Sequence, residues 1–284
     1  MEYFMSITIG IDVGGSTTKI VGFVREGGEL RMLPPQFVRA NDPITATYGA
    51  FGKFTDECGL NISEIDRVMM TGVGASYVKR DLYGLNCSRV SEFDCIGIGG
   101  RYLSGLDDCL VVSMGTGTAL VHASEAMGVK YLGGTGVGGG TLVGLSKLLV
   151  GAESIEHITD FAESGDLGRV DLRIKDISAS AAMTGLGGDV TAANFGNVSD
   201  LATKEDLALG VLNMVYETVG MVSVFAARHS GVEDIVLTGN LTRLDFCRRK
   251  YREMNEMGYG VRFLIPENAQ FSTVIGCALL GVDK

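Results

Sequence analysis

Apolar residues run almost unbroken from Ile7 to Ile11 and again from Ile20 to Val24, with a polar, glycine-bearing stretch between them. Two short β-branched runs joined this way predict a hairpin. Arg25-Glu26-Gly27-Gly28-Glu29 reads as the next turn, and a third strand over 30–38 completes a meander. From Pro43 to Cys58 the spacing is helical, and Ile65 to Met70 is a strand opening into Thr71-Gly72-Val73-Gly74. Helical spacing returns at Cys95 to Leu103. Leu110 to Met114 is a buried strand that turns through Gly115-Thr116-Gly117-Thr118 into a partner strand, Ala119 to Ala123. Helices are predicted over 142–149, 204–229 and 271–281, and a strand over 235–238 ends in Gly239-Asn240.

The unit strand, Gly/Ser/Thr turn, strand therefore occurs twice, near 7–24 and near 110–123. Such a duplication predicts an α/β protein of two lobes with matched hairpins, divided near Asp107-Asp108 into 1–108 and 109–284.

Composition adds one positive signal and several exclusions. Of 284 residues 41 are glycine and only 4 proline, which points to tight turns and close backbone approach to a ligand rather than to low-complexity disorder. A net charge of −10 argues against nucleic acid or an anionic membrane as a partner. The six cysteines form no CxxC or zinc spacing and read as core residues in a reducing compartment. Residues 1–5 lack the features of a signal peptide, and the most membrane-like stretch, 132–151, is interrupted by glycines and Lys147. A cytoplasmic location is expected.

The candidate chemistry lies in the turns. In Asp12-x-Gly14-Gly15-Ser16-Thr17-x-Lys19, paired glycines let backbone N–H groups approach phosphate oxygens. The hydroxyls of Ser16 and Thr17 add donors, and Lys19 adds positive charge. Asp12, at the strand end, suits Mg²⁺ held through water. Gly115-Thr116-Gly117 is a second such turn, and two of them facing across a cleft are how actin-like (ribonuclease H-like) ATPases grip a nucleotide. Gly138-Gly139-Gly140-Thr141 opens a helix, a ready anion site. Gly239 suits the adenosine side. Neither a Walker A loop nor a Rossmann fingerprint is present. Transfer to an alcohol needs a carboxylate to accept the hydroxyl proton. Glu92 is the candidate, while Asp94 reads as a helix cap. His122, His157 and His229 are isolated, Met214 and Met221 read as packing, and Glu153, Glu156 and Glu163 read as a solvated face.

The segments 10–19, Glu92-Phe93-Asp94, 134–141, 188–196 and 268–272 stand in the order found in type II pantothenate kinases, and the chain resembles that family over nearly its whole length. The resemblance implies ATP and Mg²⁺ as cofactors, a homodimer, and phosphorylation of the primary alcohol of pantothenate at the entry to coenzyme A synthesis. It leaves open an acyl-CoA feedback ligand. It implies Glu92 as the base, Lys19 and the glycine turns as phosphate contacts, and a substrate side that includes Tyr131, Thr135, Ala192, Ala193 and Asn194. One departure stands out. Tyr131 occupies the place where the family has an arginine for pantothenate, and tyrosine cannot form a bidentate charged pair with a carboxylate. Lys130 would point to the opposite strand face. Three alternatives therefore stand beside pantothenate kinase: a kinase of a related alcohol, a non-catalytic nucleotide-binding regulator, and an ATPase activator of a 2-hydroxyacyl-CoA dehydratase. A sugar kinase of the repressor/ORF/kinase type lacks support, because its cysteine cluster is missing.

Overall fold

The computed structural model describes residues 6–15, 17–39, 42–178 and 187–282, so Ser16 and residues 1–5, which carried the signal-peptide argument, lie outside the described residues. The first sheet comprises β1 (Ser6–Val13), β2 (Thr18–Glu26), β3 (Glu29–Met32), β4 (Gln36–Val38), β5 (Ile65–Thr71) and β6 (Cys87–Arg89). Its order is β3-β2-β1-β5-β6, with β4 also paired to β2. The second contains β7 (Asp108–Met114), β8 (Thr118–Ser124) and β9 (Gly128–Thr135). A separate ribbon pairs β10 (Leu172–Arg173) with β11 (Thr191–Ala193), after which β12 (Asp234–Thr238) and β13 (Arg262–Leu264) complete the second sheet in the order β13-β12-β7-β8-β9.

The two sheets share one plan. In each, the first strand is antiparallel to the second, and β1 is parallel to β5 as β7 is to β12. The expected duplication is thus present, with β4 as an addition to the first sheet. The strand expected over 30–38 is broken instead: Pro34 and Pro35 have no N–H to give a ladder, so the chain pairs with β2 in two pieces, β3 and β4.

Each sheet is covered on both faces, which is why its inner strands are apolar throughout rather than alternating. In the first sheet Ile7, Ile9, Ile11 and Ile20 pack with Phe51 and Phe54 of α1 (Pro43–Glu57). Val21 and Phe23 face the other way, toward Val274, Ile275 and Ala278 near the end of the chain. In the second sheet Leu110 and Val112 join a core built on a long central helix, while Cys109 and Val111 meet Ile96 of α2 (Glu92–Ser104). The remaining helices are α3 (Gly139–Val150), α4 (Ile155–Glu163), α5 (Ile174–Ile177), α6 (Lys204–Ser230), α7 (Asp245–Glu256) and α8 (Ser272–Val282).

Helices α2 and α8 cross between the sheets, and each packs on the sheet of the other lobe. Glycine makes the crossing possible. A Cβ on Gly99 would collide with the Ser272 carbonyl, and one on Gly276 with the Cys95 carbonyl. The division drawn at Asp107-Asp108 remains our proposal for the lobes, with α8 lending its face to the first. Among the described helices α6 alone is long and apolar enough to cross a membrane, and most of that apolar window is buried as the core helix of the second lobe. The stretch 132–151, apolar in sequence, is divided between β9, a glycine turn and α3.

Candidate active site

The β1–β2 hairpin places Asp12 opposite Lys19 in the antiparallel register. Its turn is closed by the Gly14 N–H, which donates to the Thr17 carbonyl at 3.0 Å. Asp12 is 8% and Lys19 9% exposed, so both charges sit close to the bottom of a cleft. Burial pushes the Asp12 carboxyl up from its ordinary value, and Lys19 pulls it partly back. Burial pushes the Lys19 ammonium down, Asp12 raises it, Arg243 lowers it, and Glu92 raises it.

Glu92 reaches the same cleft from the first turn of α2. That helix is capped by Ser91, whose Oγ accepts from the Asp94 N–H at 3.4 Å. Glu92 and Asp94 lie inside the helix, which corrects the reading of Asp94 as its cap. With capping done by Ser91, the Glu92 carboxylate is left for the cleft. It opens to solvent there, so its pKa is raised by the desolvation of a crevice rather than of a core. Asp12 adds to the rise and Lys19 opposes it.

Across the cleft, the β7–β8 turn carries Gly115, Thr116 and Gly117, with the Gly115 N–H donating to the Gly117 carbonyl at 2.9 Å. Gly138, Gly139 and Gly140 lie behind it. The Gly139 N–H donates to the Gly115 carbonyl at 2.9 Å, and the Gly140 N–H to the Thr116 carbonyl at 2.8 Å. Thr141 Oγ1 donates to the Gly136 carbonyl at 2.8 Å. These amides are spent within the protein. The expectation that the triple glycine offers them to an anion is corrected: its glycines let α3 start close against the second turn and brace it from behind.

The cleft, about 650 Å³, brings together Asp12, Gly14, Gly15, Thr17, Lys19 and Glu92 from the first half of the chain. From the second half come Gly115, Thr116, Gly117, Tyr131, Thr135 and Gly239. Tyr131, on β9, stacks on Phe93 with ring centroids 3.9 Å apart and planes 17° apart. An aromatic wall therefore stands beside Glu92. Ala192, Ala193 and Asn194 are not brought to this cleft. They belong to β11 and its continuation, held on α6 where Asn194 Nδ2 donates to Glu217 Oε2 at 3.1 Å and Asn213 Nδ2 to Asp171 Oδ2 at 2.8 Å.

The pairing of Gly72 with Gly239 carries no signal in the single motifs. These glycines follow β5 and β12 with φ of 86° and 90°. A Cβ on Gly72 would stand 2.5 Å from the Val13 carbonyl oxygen, and one on Gly239 2.5 Å from that of Met114. Each glycine thus lets the next segment abut the end of its lobe's first strand. Comparing Thr71-Gly72 with Thr238-Gly239 reveals the pairing. Asn240 and Thr273 also line the cleft, as do Ser113 and Thr118. From Thr17, Lys19 and Asn240 the space continues into a second cavity of about 570 Å³ between β4, α4 and the turn Asn240–Arg243.

The donor set fits a hydrated divalent cation at Asp12. Among the described residues its buried carboxylate accepts no hydrogen bond and is balanced only by Lys19, so its oxygens remain for metal-bound water. The described residues hold no cluster of three His, Cys, Asp or Glu side chains suited to a directly ligated metal. His122 is engaged with Asp108, Nε2 to Oδ1 at 2.7 Å. Four of the six cysteines, Cys95, Cys109, Cys247 and Cys277, are buried.

The model of the Fumble family matches residues 8–271, nearly the whole chain. The chain belongs to the Fumble family. A relative named type II pantothenate kinase from Staphylococcus aureus (strain MRSA252) is 29% identical over 283 residues, covering 96% of this chain and 99% of the relative. The motif-based resemblance is thereby borne out at the level of the family. Solved structures bear out the actin-like fold. The activator of 2-hydroxyisocaproyl-CoA dehydratase from Clostridium difficile, with bound ADPNP, superimposes with a TM-score of 0.67 at 17% identity, covering 98% of this chain and 94% of that one. A ROK family glucokinase from Streptomyces griseus, with glucose and AMPPNP, gives 0.57 at 16%, covering 96% and 98%. At such identities they speak for the fold of this Fumble-family protein and not for its chemistry.

Proposed function

We propose that this Fumble-family protein is an ATP-dependent kinase that phosphorylates the primary alcohol of pantothenate, the entry step of coenzyme A synthesis. The observation that carries the proposal is the convergence of Asp12, Lys19 and Glu92 on one cleft between two glycine turns. Relatives named type II pantothenate kinase, similar over the full length, support the choice of acceptor.

The chain's own groups suffice to outline the transfer. Gly14, Gly15 and Thr17 from one lobe and Gly115 to Gly117 from the other receive the phosphates, and Lys19 balances their charge. The part of the main cleft beside Gly239 and Asn240 receives the nucleoside. Asp12 would hold Mg²⁺ through water, and that ion supplies charge neutralisation on the phosphates. Glu92 orients the acceptor hydroxyl and takes its proton as the oxygen bonds to the γ-phosphorus and the bond to the β–γ bridging oxygen breaks, releasing ADP. A raised pKa makes Glu92 a stronger proton acceptor than an ordinary glutamate.

The Phe93–Tyr131 stack favours a second reading of the acceptor. It gives the substrate end an aromatic face with one hydroxyl, suited to a pantothenate-like alcohol whose far end is uncharged. An ADP-release assay with Mg-ATP and pantothenate, pantetheine, pantoate or sugars decides between these. Turnover with pantothenate supports the first reading, turnover with pantetheine alone supports the second, and inertness with every alcohol despite ATP binding supports a regulator. We place the protein in the cytoplasm as a homodimer. The half-exposed apolar stripe of Met214, Met221, Val222 and Phe225 on α6 supports a second copy there. An acyl-CoA feedback ligand is tested by competition in the same assay.

A further inference from the structure

Lys19 has a cross-strand neighbour with a role of its own. In the β2–β4 pairing Phe37 stands opposite Lys19, so both side chains project from the same face of the first sheet. The guanidinium of Arg243 lies over the Phe37 ring, 5.7 Å from its centroid. Arg243 belongs to the other lobe, and the segment that delivers it is fixed. The Gly239 N–H donates to the Ala269 carbonyl at 3.1 Å, Thr242 Oγ1 donates to the Gly239 carbonyl at 2.7 Å, and buried Leu241 accepts the Tyr216 hydroxyl at 2.8 Å. Arg243 is the exposed, charged residue of this anchored turn, and it lines the second cavity together with Thr17, Lys19 and Asn240.

Among the described residues Arg243 makes no close ion pair. Of the two carboxylates lining the same cavity, Glu153 is paired with Lys147 at 2.7 Å, while Glu156 accepts from Ser154 Oγ at 2.7 Å and feels Arg39 and Arg243 only at longer range. Lys19 feels Arg243 as a repelling neighbour. Three cations, Lys19 and Arg39 from the first lobe and Arg243 from the second, thus border one cavity in which Glu153 is already paired with Lys147 and Glu156 alone among the lining carboxylates is left to offset them. That arrangement favours a polyanion, and the planar guanidinium fork suits phosphate oxygens. Its hold on Phe37 is an exposed cation–π contact, weak enough to exchange.

We infer that Arg243 is the second lobe's phosphate-binding cation, leaving the Phe37 ring on nucleotide binding to grip the polyphosphate of ATP opposite Lys19. The inference rests on the ATP-binding reading above and adds a residue to it. It is tested by calorimetric binding of ATP and of adenosine, without acceptor, to the wild-type chain and to Arg243→Gln. Because Arg243 is exposed, the variant is expected to fold. The expected result is at least a tenfold loss of ATP affinity with adenosine affinity unchanged. Equal ATP affinity in the two proteins overturns the inference alone. So does an equal loss for ATP and adenosine, which would place Arg243 at the nucleoside. A wild-type chain that binds no ATP removes the inference together with the reading on which it rests.

Discussion

The two lobes repeat one strand plan but divide the work differently. The first hairpin carries buried charges, Asp12 facing Lys19, with Glu92 joining them from α2. The second hairpin carries none: Ser113 faces Ala119 at the same place, and the turn is braced by the Gly139 and Gly140 amides. On the proposed function the first lobe supplies the buried charges and proton transfer, and the second hairpin supplies a rigid backbone surface.

If that division is right, substitutions in the two halves should fail in different ways. The largest effect is expected at Glu92. Glu92→Gln should lower kcat by about 10²- to 10⁴-fold while leaving ATP affinity intact, as a general-base loss does. Steady-state kinetics with parallel ATP titration reads both, and unchanged turnover would remove Glu92 from its role.

Next come the paired glycines. Gly72→Ala and Gly239→Ala each add a Cβ 2.5 Å from a carbonyl oxygen at positive φ. Each should cost about 2–5 kcal/mol of stability in urea unfolding, from overpacking plus left-handed strain. Gly105→Ala, at φ 69° with nothing within 4 Å, should cost only about 1–2 kcal/mol. Equal losses at all three would mean that close approach to the first strands does not matter.

A smaller effect is expected at the acceptor wall. Tyr131→Arg should improve kcat/KM for pantothenate about tenfold, the worth of one charged hydrogen bond, and leave pantetheine unimproved. The same gain for both acceptors would count against a charge-reading role for this position.

The smallest is a pH effect confined to the charged lobe. Glu92 must be ionised to accept a proton, and burial and Asp12 raise its pKa against the pull of Lys19. Activity should therefore rise with pH through a midpoint above the ordinary glutamate value of about 4.3 and fall away below it. A midpoint at or under that value would mean that Glu92 is not the group being read, or that Lys19 outweighs the crevice.

The hairpins and their duplication were legible because sheets covered on both faces need unbroken β-branched runs, and those runs flank the turns. The convergence of Asp12, Lys19 and Glu92 followed from their places at a strand end, a hairpin and a helix start. What lay beyond reach depended on direction rather than on residue type. Glycines 138–140 look the same in sequence whether their amides face a ligand or the backbone of Gly115 and Thr116. Helix α7 is so rich in arginine that its buried face, Phe246, Cys247, Tyr251 and Met254, is easily read as surface. Phe93 and Tyr131 are 38 positions apart, and only the meeting of α2 with β9 stacks them. Ala192 to Asn194 share a motif with the family yet lie on α6, away from the cleft of their own chain.

The most direct test of the account is transfer of γ-labelled phosphate from Mg-ATP to pantothenate, followed by separation of the phosphorylated alcohol, for the wild-type protein and Glu92→Gln. The account predicts labelled product from the wild type and none above background from the variant, with both proteins binding ATP equally. Labelled product from the variant at the wild-type rate, or none from a wild-type protein that binds ATP, would contradict it.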